Sequence, residues 1–131
     1  MWITNTSRKN IESGNHAFVP DNTILISIRD ICTEIVDARQ DFQNIYDFEF
    51  QDSDDSELGI QLPQATEMAT VLESAADLEI NVVVNCVAGI CRSGAVVEVG
   101  TMIGFRDLGA HRLPNVRVKT MLMQALGISY R

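Results

Sequence analysis

Apolar and polar positions along the chain switch between two repeats, and the switches mark out alternating strands and helices. Thr23-Ile24-Leu25-Ile26-Ser27-Ile28 is a β-branched run bounded by Pro20-Asp21-Asn22 and Arg29-Asp30, which predicts a buried strand. Residues 44–50 alternate apolar and polar and predict another, leading into the acidic, turn-rich stretch 52–57. Between them, 31–41 reads as a turn or short helix. From Pro63 to Leu78, Ala65, Met68, Val71, Leu72 and Ala75 recur at helical spacing. Ile80–Val84 is then a nearly continuous apolar run, as a central parallel strand requires. A loop over 86–94 passes into a helix from Ser93 to about Phe105. A last helix begins near Pro114, carries Val116, Val118, Met121, Leu122 and Leu126, and stops near Gly127. Residues 1–20 are polar and Asn-rich, with a short strand expected at Trp2–Thr4 only.

Strands alternating with helices predict an α/β fold, a central, mostly parallel sheet flanked by helices on both sides. At 131 residues, without repeats or a linker, one domain over 1–131 is expected. In such sheets ligands sit at the carboxyl ends of strands, and the strand at 80–84 delivers Cys86 there.

Composition narrows the partners. The apolar fraction of 46% supports a real core, while a net charge of −8 speaks against nucleic acid or an anionic membrane. A local pocket can still be positive. No apolar stretch is long enough to span a bilayer, and the N-terminus lacks a secretory pattern. Three cysteines, two of them flanking a short loop, fit a reduced cytoplasmic protein better than a disulfide scaffold. His16 and His111 have no metal-ligand spacing to the cysteines, so neither a metal nor a cofactor is expected.

The chemistry concentrates in Val84-Asn85-Cys86-Val87-Ala88-Gly89-Ile90-Cys91-Arg92-Ser93-Gly94. A loop wrapped over a helix N-terminus turns the backbone amides of Val87, Ala88, Gly89, Ile90 and Cys91 inward as an anion nest. Gly89 permits a conformation that a Cβ resists. Arg92 brings a planar fork for two oxygens of a phosphate. A cysteine on the floor of that nest is expected to lose its proton more readily than usual and to attack a bound phosphorus. Ser93 can donate to the sulfur as it leaves, cap the helix, or do both.

This segment resembles the Cys-x5-Arg-Ser/Thr signature of the protein tyrosine phosphatase superfamily. Ala88-Gly89-Ile90 and Arg92-Ser93-Gly94-Ala95 are especially similar to dual-specificity phosphatases, which read His-Cys-x-Ala-Gly-Ile-Ser-Arg-Ser. The likeness is strong over 82–100, and Pro114-Asn115 adds a short match before the last helix. It implies a metal-independent hydrolase of phosphate monoesters acting through a phosphocysteine. The substrate would be a phosphorylated protein or a small phosphate ester. The short chain leaves little room for loops that deepen a pocket, so phosphoserine and phosphothreonine are expected to enter beside phosphotyrosine. The resemblance also implies an aspartate general acid upstream of the cysteine. Asp52 is preferred because it follows Phe50 by two positions; Asp54 and Asp55 fit as well by distance from Cys86.

Two positions depart from the family. Asn85 replaces its usual His and cannot carry charge, which opens the alternative of a weakly active or inactive relative that binds phosphate or a phosphoprotein. Cys91 replaces a common Ser at the spacing of the cysteine pair in low-molecular-weight phosphatases. Either Cys86 and Cys91 form a reversible disulfide, or Cys91 packs as a small apolar residue. An arsenate reductase uses a similar loop, but its order of elements differs. Arg106, Arg112, Arg117 and Lys119 are read as surface cations, Asp30 and Asp37 as turn or surface residues.

Overall fold

In the computed structural model, which describes residues 1–14 and 21–128, the two β-branched runs lie side by side at the centre of an all-parallel sheet. Five strands contribute: β1 (Trp2–Ser7), β2 (Thr23–Arg29), β3 (Ile45–Glu49), β4 (Asn81–Cys86) and the two-residue β5 (Arg106–Asp107). Their spatial order is β3-β2-β4-β1-β5. Ile24 pairs with Val82 and Ile26 with Val84 across β2 and β4, and Ile3 pairs with Val82 across β1 and β4. Being covered on both faces, β2 and β4 are apolar almost throughout, as parallel strands are.

The period of two divides these strands between two cores. Ile3, Ile24, Ile26, Ile28, Phe48, Val82 and Val84 point to one face, where they meet α2 (Leu62–Asp77), α3 (Arg92–Met102) and α4 (Val116–Ala125). Leu25 and Val83 point to the other and meet Ile11 of α1 (Arg8–Ser13), Val36, Trp2, Ala38 and Phe42. Helices thus flank both faces, but unequally, with all three long ones on one side. The five apolar positions expected on the 63–78 helix are all buried. Pro63 sits in its first turn, and Gln64 Oε1 accepts from the Gln61 amide at 2.9 Å.

Three local readings change. β1 runs to Ser7, beyond the expected Thr4, because Asn5 occupies an inward position and finds polar partners there in Gly89 O and the Ala110 amide. The six-residue α1 begins where Ser7 Oγ accepts from the Asn10 amide at 3.1 Å and ends at Gly14, in the left-handed conformation. Over 31–41 there is a turn but no helix: Cys32 has φ +64, which ends helical propagation, and the chain then runs without regular structure, with Val36 buried. His16 and Pro20 lie outside the described residues. Among the described residues no helix is long and apolar enough to cross a membrane.

Candidate active site

Because the strands are parallel, the carboxyl ends of β1, β2, β3 and β4 all lie at one edge of the sheet. Arg8, Asp30, the segment Phe50–Asp52 and the loop after Cys86 therefore gather there.

Cys86 ends β4, is 2% exposed, and leads into residues 87–91. Four loop carbonyls are tied to the protein around them. Val87 O accepts from the Arg8 amide at 3.2 Å and Ile90 O from the Leu113 amide at 3.2 Å. Cys91 O accepts from the Ala95 and Asn115 amides, each at 3.0 Å. Gly89 O accepts from Asn5 Nδ2 at 2.7 Å, and Asn5 Oδ1 accepts in turn from the Ala110 amide at 3.0 Å. Asn5 is buried for this reason, a polar residue at a core position of β1. No described residue accepts a hydrogen bond from the amides of 87–91. Gly89 has φ +75, and a Cβ there would lie 2.3 Å from the Thr6 carbonyl carbon and 2.5 Å from the Ser7 nitrogen. The close crossing of β1 beneath the loop therefore requires glycine.

The helix after this loop keeps its amino end open. Cys91 occupies the position before α3 without a side-chain capping bond, and the first turn contains no acidic residue. Ser93 lies inside the helix rather than at its cap, fully buried, with Oγ 3.2 Å from Cys86 Sγ. Arg92, 4% exposed, turns its side chain back along the edge of the sheet. Its Nη1 donates to Phe50 O at 2.7 Å and pairs with Asp30 Oδ1 at 2.8 Å. Its buried Nε has no hydrogen-bond partner among the described residues. One edge of the guanidinium is thus anchored while an adjacent donor stays bare, an unusual state for a buried group.

Of the three aspartates considered as the acid, Asp52 is the one joined to this loop. Its Oδ1 accepts from Asn115 Nδ2 at 2.8 Å, while Asn115 Oδ1 caps α4 by accepting from the Val118 amide at 3.0 Å. Asp52 also approaches Cys91: burial pushes the Cys91 thiol above its ordinary range, and the Asp52 carboxylate pushes it further. Asp55 spends its Oδ1 on the Glu57 amide within the acidic turn, and Asp54 faces a separate groove with Val116 and Arg117. Asn85 is buried, with Oδ1 unpartnered among the described residues and only a long contact of 3.5 Å from Nδ2 to Cys86 O.

Three residues to which the sequence assigned no role in the site prove central to this geometry. Asp30, read as a turn residue, holds Arg92; Asn115 holds Asp52; Asn5 holds Gly89. For Asp30 a signal existed, since a carboxylate just past a strand of a parallel sheet lies at the ligand edge. Two of the surface cations are engaged elsewhere: Arg112 pairs with Glu98 and Asp107, and Arg117 Nε donates to Ile60 O. Met123 is buried and Met121 packs against the core, as ordinary core residues. Among the described residues no three His, Cys, Asp or Glu side chains form a metal-binding group. Compared with known proteins, the chain matches no family model and no curated protein.

Proposed function

We propose that the chain is a metal-independent, cysteine-dependent phosphatase that hydrolyses phosphate monoesters through a phosphocysteine. The observation that carries this reading is the bare Nε of buried Arg92 beside a loop whose carbonyls point away and whose amides are unengaged. A tetrahedral oxyanion supplies the acceptors those donors lack. Ser93 Oγ lies 3.2 Å from Cys86 Sγ, within reach to donate to the sulfur as it leaves.

In the first step Cys86 Sγ attacks phosphorus, the S–P bond forms and the ester P–O bond breaks. Asp52, protonated, gives its proton to the departing oxygen. Water then attacks the phosphocysteine, Asp52 takes the water proton, and the S–P bond breaks with Ser93 donating to the sulfur. Throughout, Arg92 and the amides of Val87 to Cys91 hold the equatorial oxygens, where charge accumulates. Val87 and Ala88 of the loop are exposed, and a chain of 131 residues leaves little room for loops that deepen the pocket. That favours phosphoserine and phosphothreonine as well as phosphotyrosine, or a small ester.

The test is turnover of p-nitrophenyl phosphate by wild type and Cys86→Ser. Wild-type turnover that disappears in the variant is expected; turnover retained by Cys86→Ser refutes the mechanism. One observation favours a second reading, a phosphate-binding module. Asn85 stands buried and neutral beside Cys86, with its Oδ1 unpartnered among the described residues. Phosphopeptide binding without any turnover by wild type selects that reading.

A further inference from the structure

Beside the loop lies a groove of about 560 Å³ lined by Arg8, Lys9, Glu12, Ser13, Arg39 and Val87. Val87 directly follows Cys86 and is exposed, so the groove adjoins the rim of the candidate active site. Its charge runs against that of the whole chain. The protein has a net charge of −8 with ten Lys and Arg residues, yet three of those ten meet here against one carboxylate. Glu12 is itself engaged. Its Oε1 pairs with Arg8 Nε at 3.3 Å, its Oε2 accepts from the Asp37 amide at 3.3 Å, and its backbone carbonyl takes Arg39 Nε at 2.8 Å. Burial pushes its carboxyl up, but the Asp37 amide and Arg8 outweigh this and hold it below the usual range, so it stays charged. Lys9 and the terminal nitrogens of Arg39 have no partner among the described residues. Two other surface arginines are neutralised: Arg29 by Asp47 and Glu49, Arg112 by Glu98 and Asp107.

Lys9 and the terminal nitrogens of Arg39, in a concave site next to the Cys86 loop, form a complementary surface for a second dianion on the same ligand. We propose that the groove of Lys9 and Arg39 is a second anion subsite, and that the preferred substrate is a phosphate monoester carrying another phosphoryl group. This rests on the reading that the Cys86 loop holds the first phosphoryl group. The ligand's second group is recognised by charge, so it is served equally by a small bisphosphate or a doubly phosphorylated peptide.

The experiment measures binding to the Cys86→Ser protein by calorimetry, so that turnover is not required. Alkanediol bisphosphates of two to six carbons, their monophosphates, and a singly and a doubly phosphorylated peptide are compared. At least one bisphosphorylated ligand is expected to bind about tenfold tighter than its singly phosphorylated counterpart. Placing Lys9→Gln and Arg39→Gln together should abolish most of that ratio, and Arg39→Lys should restore part of it. Lys9→Gln alone, at an exposed position without a described partner, keeps the test interpretable if the double variant fails to fold. The alkanediol and peptide arms identify which source the groove accepts. Equal binding of singly and doubly phosphorylated ligands, or a ratio untouched by the Lys9 variant, overturns the subsite while leaving the phosphatase reading intact. Failure of every ligand to bind overturns both.

Discussion

Replacing Asp30 with Ala removes the carboxylate that holds Arg92 Nη1 at 2.8 Å and leaves Phe50 O as the remaining partner of that nitrogen. Losing one member of a fully buried ion pair costs about 3–5 kcal/mol, whereas an exposed pair is worth about 0–1 kcal/mol. Here the arginine side chain is 5% exposed and the aspartate 38%, so solvent screens one partner and not the other. The cost should therefore be intermediate, about 1–2 kcal/mol. If that energy is what keeps the guanidinium aimed at the bound anion, kcat/KM for p-nitrophenyl phosphate falls about 5–30-fold. The inhibition constant of vanadate, which needs the same clamp, rises by a similar factor. Asp30→Asn keeps an acceptor oxygen but not the charge and should fall between. Vanadate affinity is read well below the melting temperature of every variant, where a loss of stability alone does not move it. An Asp30→Ala protein with lowered melting temperature but wild-type vanadate affinity would refute the positioning role.

Gly89→Ala combines a positive φ with a backbone clash against Thr6 and Ser7, so it should cost at least about 1–3 kcal/mol in a urea titration and abolish turnover; wild-type stability would contradict the close crossing of β1 and the loop. Cys91 should be alkylated at half its maximal rate only above the ordinary thiol value of about 8.5. Asp52→Asn should bring that midpoint down by removing the push that follows burial in size, as followed by mass spectrometry; an unmoved midpoint separates Asp52 from Cys91. Mild peroxide decides between the two readings of Cys91: a Cys86–Cys91 disulfide marks a redox pair, and a persistently free Cys91 beside oxidised Cys86 marks a packed thiol. Hydrogen bonds from Arg112 and from the Gly109 amide hold the Asp107 carboxyl below its usual range. Its folded value being depressed, the stability it adds is present above the unfolded value of about 3.9 and disappears as pH falls through the folded one. Wild type should therefore melt above Asp107→Asn at pH 7, by no more than about 1 kcal/mol for so exposed a group, and the gap should close in acid.

Strand and helix positions were legible where burial imposes a clean period. β2, β4 and α2 follow their apolar patterns within a residue or two, because each buries a continuous face. β1 was half hidden, since Thr4 to Ser7 are polar and only the partners of Asn5 explain an asparagine in a core strand. α1 is too short to show a helical period, and its single buried residue, Ile11, carries no repeat. In the site, Cys86, Arg92, Ser93 and Gly89 could be read because one loop contains them and their spacing is itself the geometry. The roles of Asn115 and Asn5 could not, since they reach the loop from two other elements through contacts that only the folded sheet brings together; Asp30 left only the signal of a carboxylate just past a parallel strand.

The most direct measurement of the central claim traps the covalent species. Wild type and Ser93→Ala are mixed with a phosphate monoester, quenched in acid within the first turnovers, and digested for peptide mass spectrometry. One added phosphoryl group is predicted on the peptide containing Cys86, more abundant in Ser93→Ala, where the departing sulfur loses its donor. Turnover with no phosphorylated Cys86 in either protein, or with the phosphoryl group on another residue, would contradict the account.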